Sequence, residues 1–157
     1  MCSSISPTFQ REPSHDGMIT GSVGAFLVLE AEDKAMARGA NIFARLSSVS
    51  ANQTRRKQGD VTRSLLALGS AKTAALVVSA ASGLAHAATE EKAALDVLAP
   101  LARLVAMGDL VGHSVEAAFP AAVALAAGML AGGEASSALV TGVGHHRGEG
   151  IAHLSAV

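Results

Sequence analysis

"DGMITGSVGAFLVLEAEDKAMARGANIFARL", residues 16–46, is the most patterned stretch of the chain. Its run "AFLVLE" (25–30) is too apolar to face water on either side, which predicts a strand buried on both faces. "MITG" (18–21) and the glycines that follow predict that this strand is bent or interrupted. "EAEDKAMARG" (30–39) has acids in its first turn, Lys34 and Arg38 beyond them and Gly39 at its end, the pattern of a short helix. "NIFARLSSVS" (41–50) returns to strand character. Strand, helix and strand within thirty residues predict a layered α/β architecture.

The same alternation continues to the last residue. "NQTRRKQGD" (52–60) reads as a polar loop whose Arg55, Arg56 and Lys57 form a solvated face, or a docking face for an acidic carrier. "GDVTRSLLALG" (59–69) predicts a helix with Asp60 as its cap and Gly69 as its stop. "AALVVSA" (74–80) reads as a buried strand, "ATEEKAALDVLAP" (88–100) as a helix beginning at Thr89, and "ARLVAMGD" (102–109) as another strand. A long Ala-rich helix follows from about Ser114. "SSALVTGVG" (136–144) and "GIAHLSAV" (150–157) read as two closing strands in a hairpin-like return around a loop rich in Gly and His. Residues 1–14, polar and containing Pro7 and Pro13, read as a poorly ordered leader, with the domain at 15–157.

Composition narrows the function classes. Half of the 157 residues are hydrophobic, enough for one core. A net charge of -1 removes the electrostatic argument for a nucleic-acid or anionic-membrane partner. Four Phe are the only large aromatics, so small side chains and close backbone approaches must build the interior. The single cysteine, Cys2, excludes an internal disulfide and suits a reducing compartment, the cytoplasm. "AAFPAAVALAAGMLAGG" (117–133) carries no charge, but it falls short of the roughly 20 apolar residues of a membrane span and reads as a buried helix.

Asp16, Gly17, Gly21, Leu27, Val28, Leu29, Glu30, Ala35, Ala37, Arg38, Gly39, Ala40, Ile42 and Ala44 occur in an order and spacing that resembles the β-ketoacyl-acyl-carrier-protein synthases, condensing enzymes of the thiolase fold. Further on, Gly112, His113, Ala117 and Ala118 resemble the Gly-His motif that opens the buried helix of that family's second half, and "TGVGHHRGEGIAHLSAV" stands where the family has its closing Gly-rich loop and last strand. The resemblance implies an α/β, layered thiolase-like fold and only one half, the C-terminal one, of the duplicated unit. It implies decarboxylative condensation of an acyl thioester with a malonyl carrier, in fatty-acid or polyketide synthesis. Acyl-carrier protein is the implied partner, together with a ketosynthase half or a second copy of the chain. No metal or organic cofactor is implied.

In that chemistry a cysteine thiolate holds the acyl chain, and histidine N–H groups meet the enolate formed as carbon dioxide leaves. The resemblance gives His113 the place of a catalytic histidine, against the plainer reading of a histidine satisfied by backbone at a helix start. Other positions depart from the pattern: Gly108 replaces a lysine, Ala80 or Ala81 stands where the first histidine belongs, and Ser22 replaces an acid. Glu116 and Ala122 replace the Gly and Glu of the helix. Cys2 has no strand before it and no apolar helix after it, unlike the family's nucleophile. The chain is therefore expected to be inactive alone, either as a truncated synthase or as a non-catalytic subunit resembling a chain-length factor. His86 reads as a structural or surface residue. His145 and His146 read as a site-rim or solvent loop, with substrate contact by His145 as a minor alternative, and nothing around them has metal-ligand spacing.

Overall fold

The computed structural model describes residues 17–69 and 74–157. Among the described residues five helices and five strands follow in the order α1 (Glu32–Ala37), β1 (Arg45–Arg55), α2 (Asp60–Leu68), β2 (Leu76–Ser79), α3 (Ala85–Leu98), β3 (Arg103–Ala106), α4 (Met107–Val111), α5 (Ala118–Ala131), β4 (Ser137–Val143) and β5 (Arg147–Ser155). The strands form one sheet in the order β1-β5-β4-β2-β3. β4, β2 and β3 are parallel, while β5 runs antiparallel to both β4 and β1. The expected α/β layering and the closing hairpin are both present.

The pleat sorts β2 and β4 between two cores. Leu76, Val78, Ala138 and Val140 face α5, where Ala121, Ala122, Ala126 and Leu130 complete one cluster. Val77, Leu139, Val143 and Ile151 face α2 and α3, meeting Val61, Leu65, Ala94 and Leu95. The β2 strand is thus buried on both sides, as its unbroken apolar run predicts. Small residues let α5 approach the sheet closely, and the one large ring in its first turn needs special room. Phe119 lies over Gly142 and Gly150, which face each other across β4 and β5. A Cβ on Gly142 would stand 2.6 Å from the Phe119 ring.

Several boundaries correct the sequence reading. "AFLVLE" is not a strand: among the described residues the segment before α1 makes a single bridge, Thr20 to His113. Among the described residues 25–30 join no ladder, and apolar character alone does not make one. β1 starts at Arg45 and runs through what reads as a polar loop as far as Arg55, because β5 offers partners up to Arg147, with register shifts at Leu46/Ser48 and Asn52/Arg55. Arg56 is not part of a solvated face, since it forms a buried pair with Glu149. Gly59 occupies the cap position of α2, and Asp60 instead accepts the Lys57 N–H at 2.6 Å. The capping is done by Glu90 of α3, whose carboxylate accepts from the N–H groups of Gly59 (2.7 Å) and Val61 (3.0 Å).

α3 begins at Ala85 rather than Thr89, and the Thr89 hydroxyl donates back to the Ala85 carbonyl at 2.8 Å instead of capping. α4 follows β3 directly, and α5 begins at Ala118 rather than Ser114, which puts Pro120 in its first turn where no N–H is needed. α1 ends as expected: Gly39 takes a positive φ, its N–H bonds to Met36 and that of Ala40 bonds to Ala35. The expected leader and residues 15 and 16 lie outside the described residues.

Replacing Gly142 with Ala is expected to cost about 1–3 kcal/mol of stability in urea titrations, through displacement of Phe119. Adding Phe119→Ala should make the pair cost less than the sum of the two single changes.

Candidate functional site

α4 ends in Gly112, whose φ of +74° turns the chain sharply toward α5. At this turn the backbone meets the segment from the opening stretch. The His113 N–H donates to the Ile19 carbonyl at 2.8 Å, and the Gly21 N–H donates to the His113 carbonyl at 2.9 Å. The crossing tolerates no side chain. A Cβ on Gly21 would lie 1.8 Å from the Val111 carbonyl oxygen, and one on Gly112 would lie 2.9 Å from the Gly21 Cα. Two glycines that match the family pattern in separate motifs are therefore the two faces of one contact.

The clamp fixes His113 with only 7% of its surface exposed and its Nδ1 without a hydrogen-bond partner. Burial, and then the nearby charge of His145, hold its imidazole below the usual 6.5. The ring is neutral above that range, so one nitrogen can donate and the other accept. His145 comes from the β4–β5 turn, where its ring meets that of His146 edge-on with centroids 4.2 Å apart. Both turn histidines are exposed, and His86 is exposed on the first turn of α3. Ala80 and Ala81, at the end of β2, are buried. His15 and Cys2 lie outside the described residues.

The turn that carries His145 is anchored by a residue the sequence reading missed. The Arg56 side chain is almost wholly buried, with Nε 2.9 Å from a Glu149 carboxylate oxygen and Nη2 donating to the Gly144 carbonyl at 2.5 Å. A pair so deeply placed fixes geometry more than it stabilises, because desolvation offsets its attraction. No local pattern reveals it, since its partners lie 88 and 93 residues further along the chain.

A second missed group is Glu91 on α3. Its Oε1 accepts from Ser79 at 2.7 Å and Thr141 at 2.5 Å, while Oε2 is buried without a partner. Burial pushes its carboxyl up, against the pull of the Thr141 and Ser79 hydrogen bonds. Ser79 and Thr141 are paired neighbours on β2 and β4, so Glu91 ties α3 to the parallel core. On the opposite face, a cavity of about 760 Å³ lies between residues 26–46 and the outer side of α5, lined in part by Phe26, Leu29, Phe43, Val123 and Leu154. Among the described residues no group of three or more His, Cys, Asp or Glu is placed to hold a metal, and no helix is long and apolar enough to cross a membrane.

No family model matches the chain, and no curated protein matches it. Solved structures do. The ishigamide ketosynthase/chain length factor superposes on 99% of this chain with a TM-score of 0.79 at 17% identity. The fold is thiolase-like. A ketosynthase of a type II polyketide synthase, solved with its acyl-carrier protein (AntDE:AntF), covers 82% of this chain at a TM-score of 0.65 and 14% identity. The PfaC keto synthase-chain length factor covers 73% at 0.58 and 24% identity. This chain spans 49%, 37% and 13% of those three chains, respectively, so the thiolase-like unit corresponds to about half of the ishigamide chain.

Gly21→Ala is expected to open the clamp: stability falls by about 1–3 kcal/mol, and the His113 ring titrates closer to 6.5 in NMR. Glu91 gives a test of opposite chemistry. The native state holds a proton that the unfolded chain releases above about pH 4.5, so Glu91 makes stability fall as pH rises from there through its raised native value. Glu91→Gln should remove that slope and raise the melting temperature at pH 8 by a few °C relative to the parent.

Proposed function

We propose that this chain is the C-terminal half of a β-ketoacyl-acyl-carrier-protein synthase-like protein acting in fatty-acid or polyketide chain extension. The observation that carries the reading is His113: a neutral, buried imidazole held by backbone bonds between two glycines, in a fold shared with ketosynthases and chain length factors. Loss of carbon dioxide from a malonyl thioester leaves an enolate, and an N–H from His113 would donate to its oxygen where the charge develops. In this reading the acyl group sits on a cysteine of the synthase's first half.

Acyl-carrier protein is the proposed carrier partner, as it is in the AntDE:AntF complex. A synthase-type half is the proposed structural partner. α5 supports this, because from Ala118 to Ala131 it carries no charged residue, while Ala124, Leu125 and Ala127 are only half-buried and Gly128 and Ala131 are exposed. A helix without a polar face belongs in an interior.

The second reading is a non-catalytic chain-length-factor-like subunit. Two substitutions favour it: Ala80 or Ala81, both buried, stands where the first histidine belongs, and Gly108 stands where a lysine belongs. Release of carbon dioxide from malonyl-carrier protein by the complex with a cysteine-bearing half separates the readings. For a synthase, His113→Ala lowers the rate about 10²–10³-fold, the scale of losing one oxyanion donor. An unchanged rate would identify the subunit as non-catalytic.

A further inference from the structure

A cavity of about 430 Å³ opens between the end of β1 and one face of α2. Arg56 stands in its wall with only 7% of its side chain exposed. Two nitrogens of its guanidinium are committed, Nε to Glu149 and Nη2 to the Gly144 carbonyl, while Nη1 is buried with no acceptor. A charged donor buried without a partner carries its full desolvation cost, so a group that brings it an acceptor recovers that cost. The side chain of Arg55, also in the wall, is exposed and has no ion-pair or hydrogen-bond partner among the described residues.

The charges around the cavity leave one cation over. Arg63 is spent on Asp60 at 2.5 Å and Arg56 on Glu149 at 2.9 Å, which leaves Arg55 without a counterion. The polar groups between them satisfy one another: Asn52 Nδ2 donates to the Ser64 hydroxyl at 2.9 Å, and Asn52 Oδ1 accepts from the Thr54 N–H at 2.9 Å. The far end is aliphatic, with Ala67 and Leu68 about 6 Å along the α2 axis from Arg63 and Ser64 on the same face. We infer that this cavity binds a small aliphatic monocarboxylate, its head on the guanidinium groups of Arg55 and Arg56 and its chain along Ala67 and Leu68. A monoanion matches the single uncompensated charge, whereas a phosphate dianion exceeds it. A carboxylate on the side chain of another protein brings a peptide backbone with it, and Asn52, Thr54 and Ser64 are already engaged with one another. The inference concerns a second site and does not rest on the condensing reading.

The test is a titration of sodium hexanoate into the purified full chain at constant ionic strength, followed by calorimetry and by the arginine Nε–H resonances in NMR. Saturable binding at about 1 mM or tighter, with the Arg56 resonance shifting, is the expected result. Hexanol, which has the same chain and no charge, should bind at least about tenfold more weakly. Arg55→Gln changes an exposed, unpaired side chain and should weaken hexanoate about tenfold, the scale of one hydrogen bond to a charged group. Ala67→Phe, at an exposed helix position, should fill the aliphatic end and abolish binding without changing the far-UV spectrum. Arg56→Lys should also lose binding, and if that variant fails to fold the other two decide the matter. Absence of saturation by about 10 mM hexanoate overturns the inference. So does tighter binding of inorganic phosphate or of a glutamate-rich peptide, or hexanoate binding that survives both Arg55→Gln and Ala67→Phe.

Discussion

Close approach of backbone to backbone and of ring to backbone is the constraint on which this molecule rests. With four phenylalanines and no other large aromatic, the interior cannot be filled by bulk, so α5 must come down on the sheet through alanines. That approach is tolerable only because Gly142 and Gly150 leave a shallow seat for Phe119. Further along, Gly21 and Gly112 cross without a side chain between them and hold His113. The functional candidate is therefore a product of glycine placement as much as of the histidine itself.

Buried polar groups hold the layers in register around that apolar frame. Glu91 reaches from α3 to hydroxyls on two parallel strands, and Glu90, its neighbour in sequence, turns outward to cap α2. One helix thus holds a neighbouring helix and two strands of the sheet with adjacent carboxylates of opposite environment. Arg56 and Glu149 do the same for the closing turn at the far end of the sheet.

The sequence made the architecture legible where periodicity and local punctuation agree. β2, the β4–β5 hairpin, and the Gly39 stop of α1 depend on near neighbours, and each lies where the residues predict. What was hidden depended on distant partners. The extension of β1 to Arg55 comes from β5, and the burial of Arg56 comes from Glu149. "AFLVLE" has the composition of a buried strand, but hydrogen bonding needs a neighbour that sequence composition does not specify. For the site, the resemblance pointed to Gly21, Gly112 and His113, while only the fold brings Gly21 against Gly112. Ser79, Glu91 and Thr141 carried no motif, since a carboxylate in a helix reads as solvated until burial is known.

The position of β5 sets the order in which the sheet can be assembled. β5 lies between β1 and β4, although it is the last strand in the chain, and Arg45 of β1 pairs with Ser155. During synthesis β1 emerges about a hundred residues before β5, its neighbour in the described sheet, and has no ladder there to join until β5 has left the ribosome. The parallel trio of β3, β2 and β4 can gather beforehand, but the sheet remains split until its final strand slots between the two parts. Ribosomal synthesis therefore leaves the β1 edge open for the whole interval between β1 and β5, when premature pairing with another nascent chain is most costly.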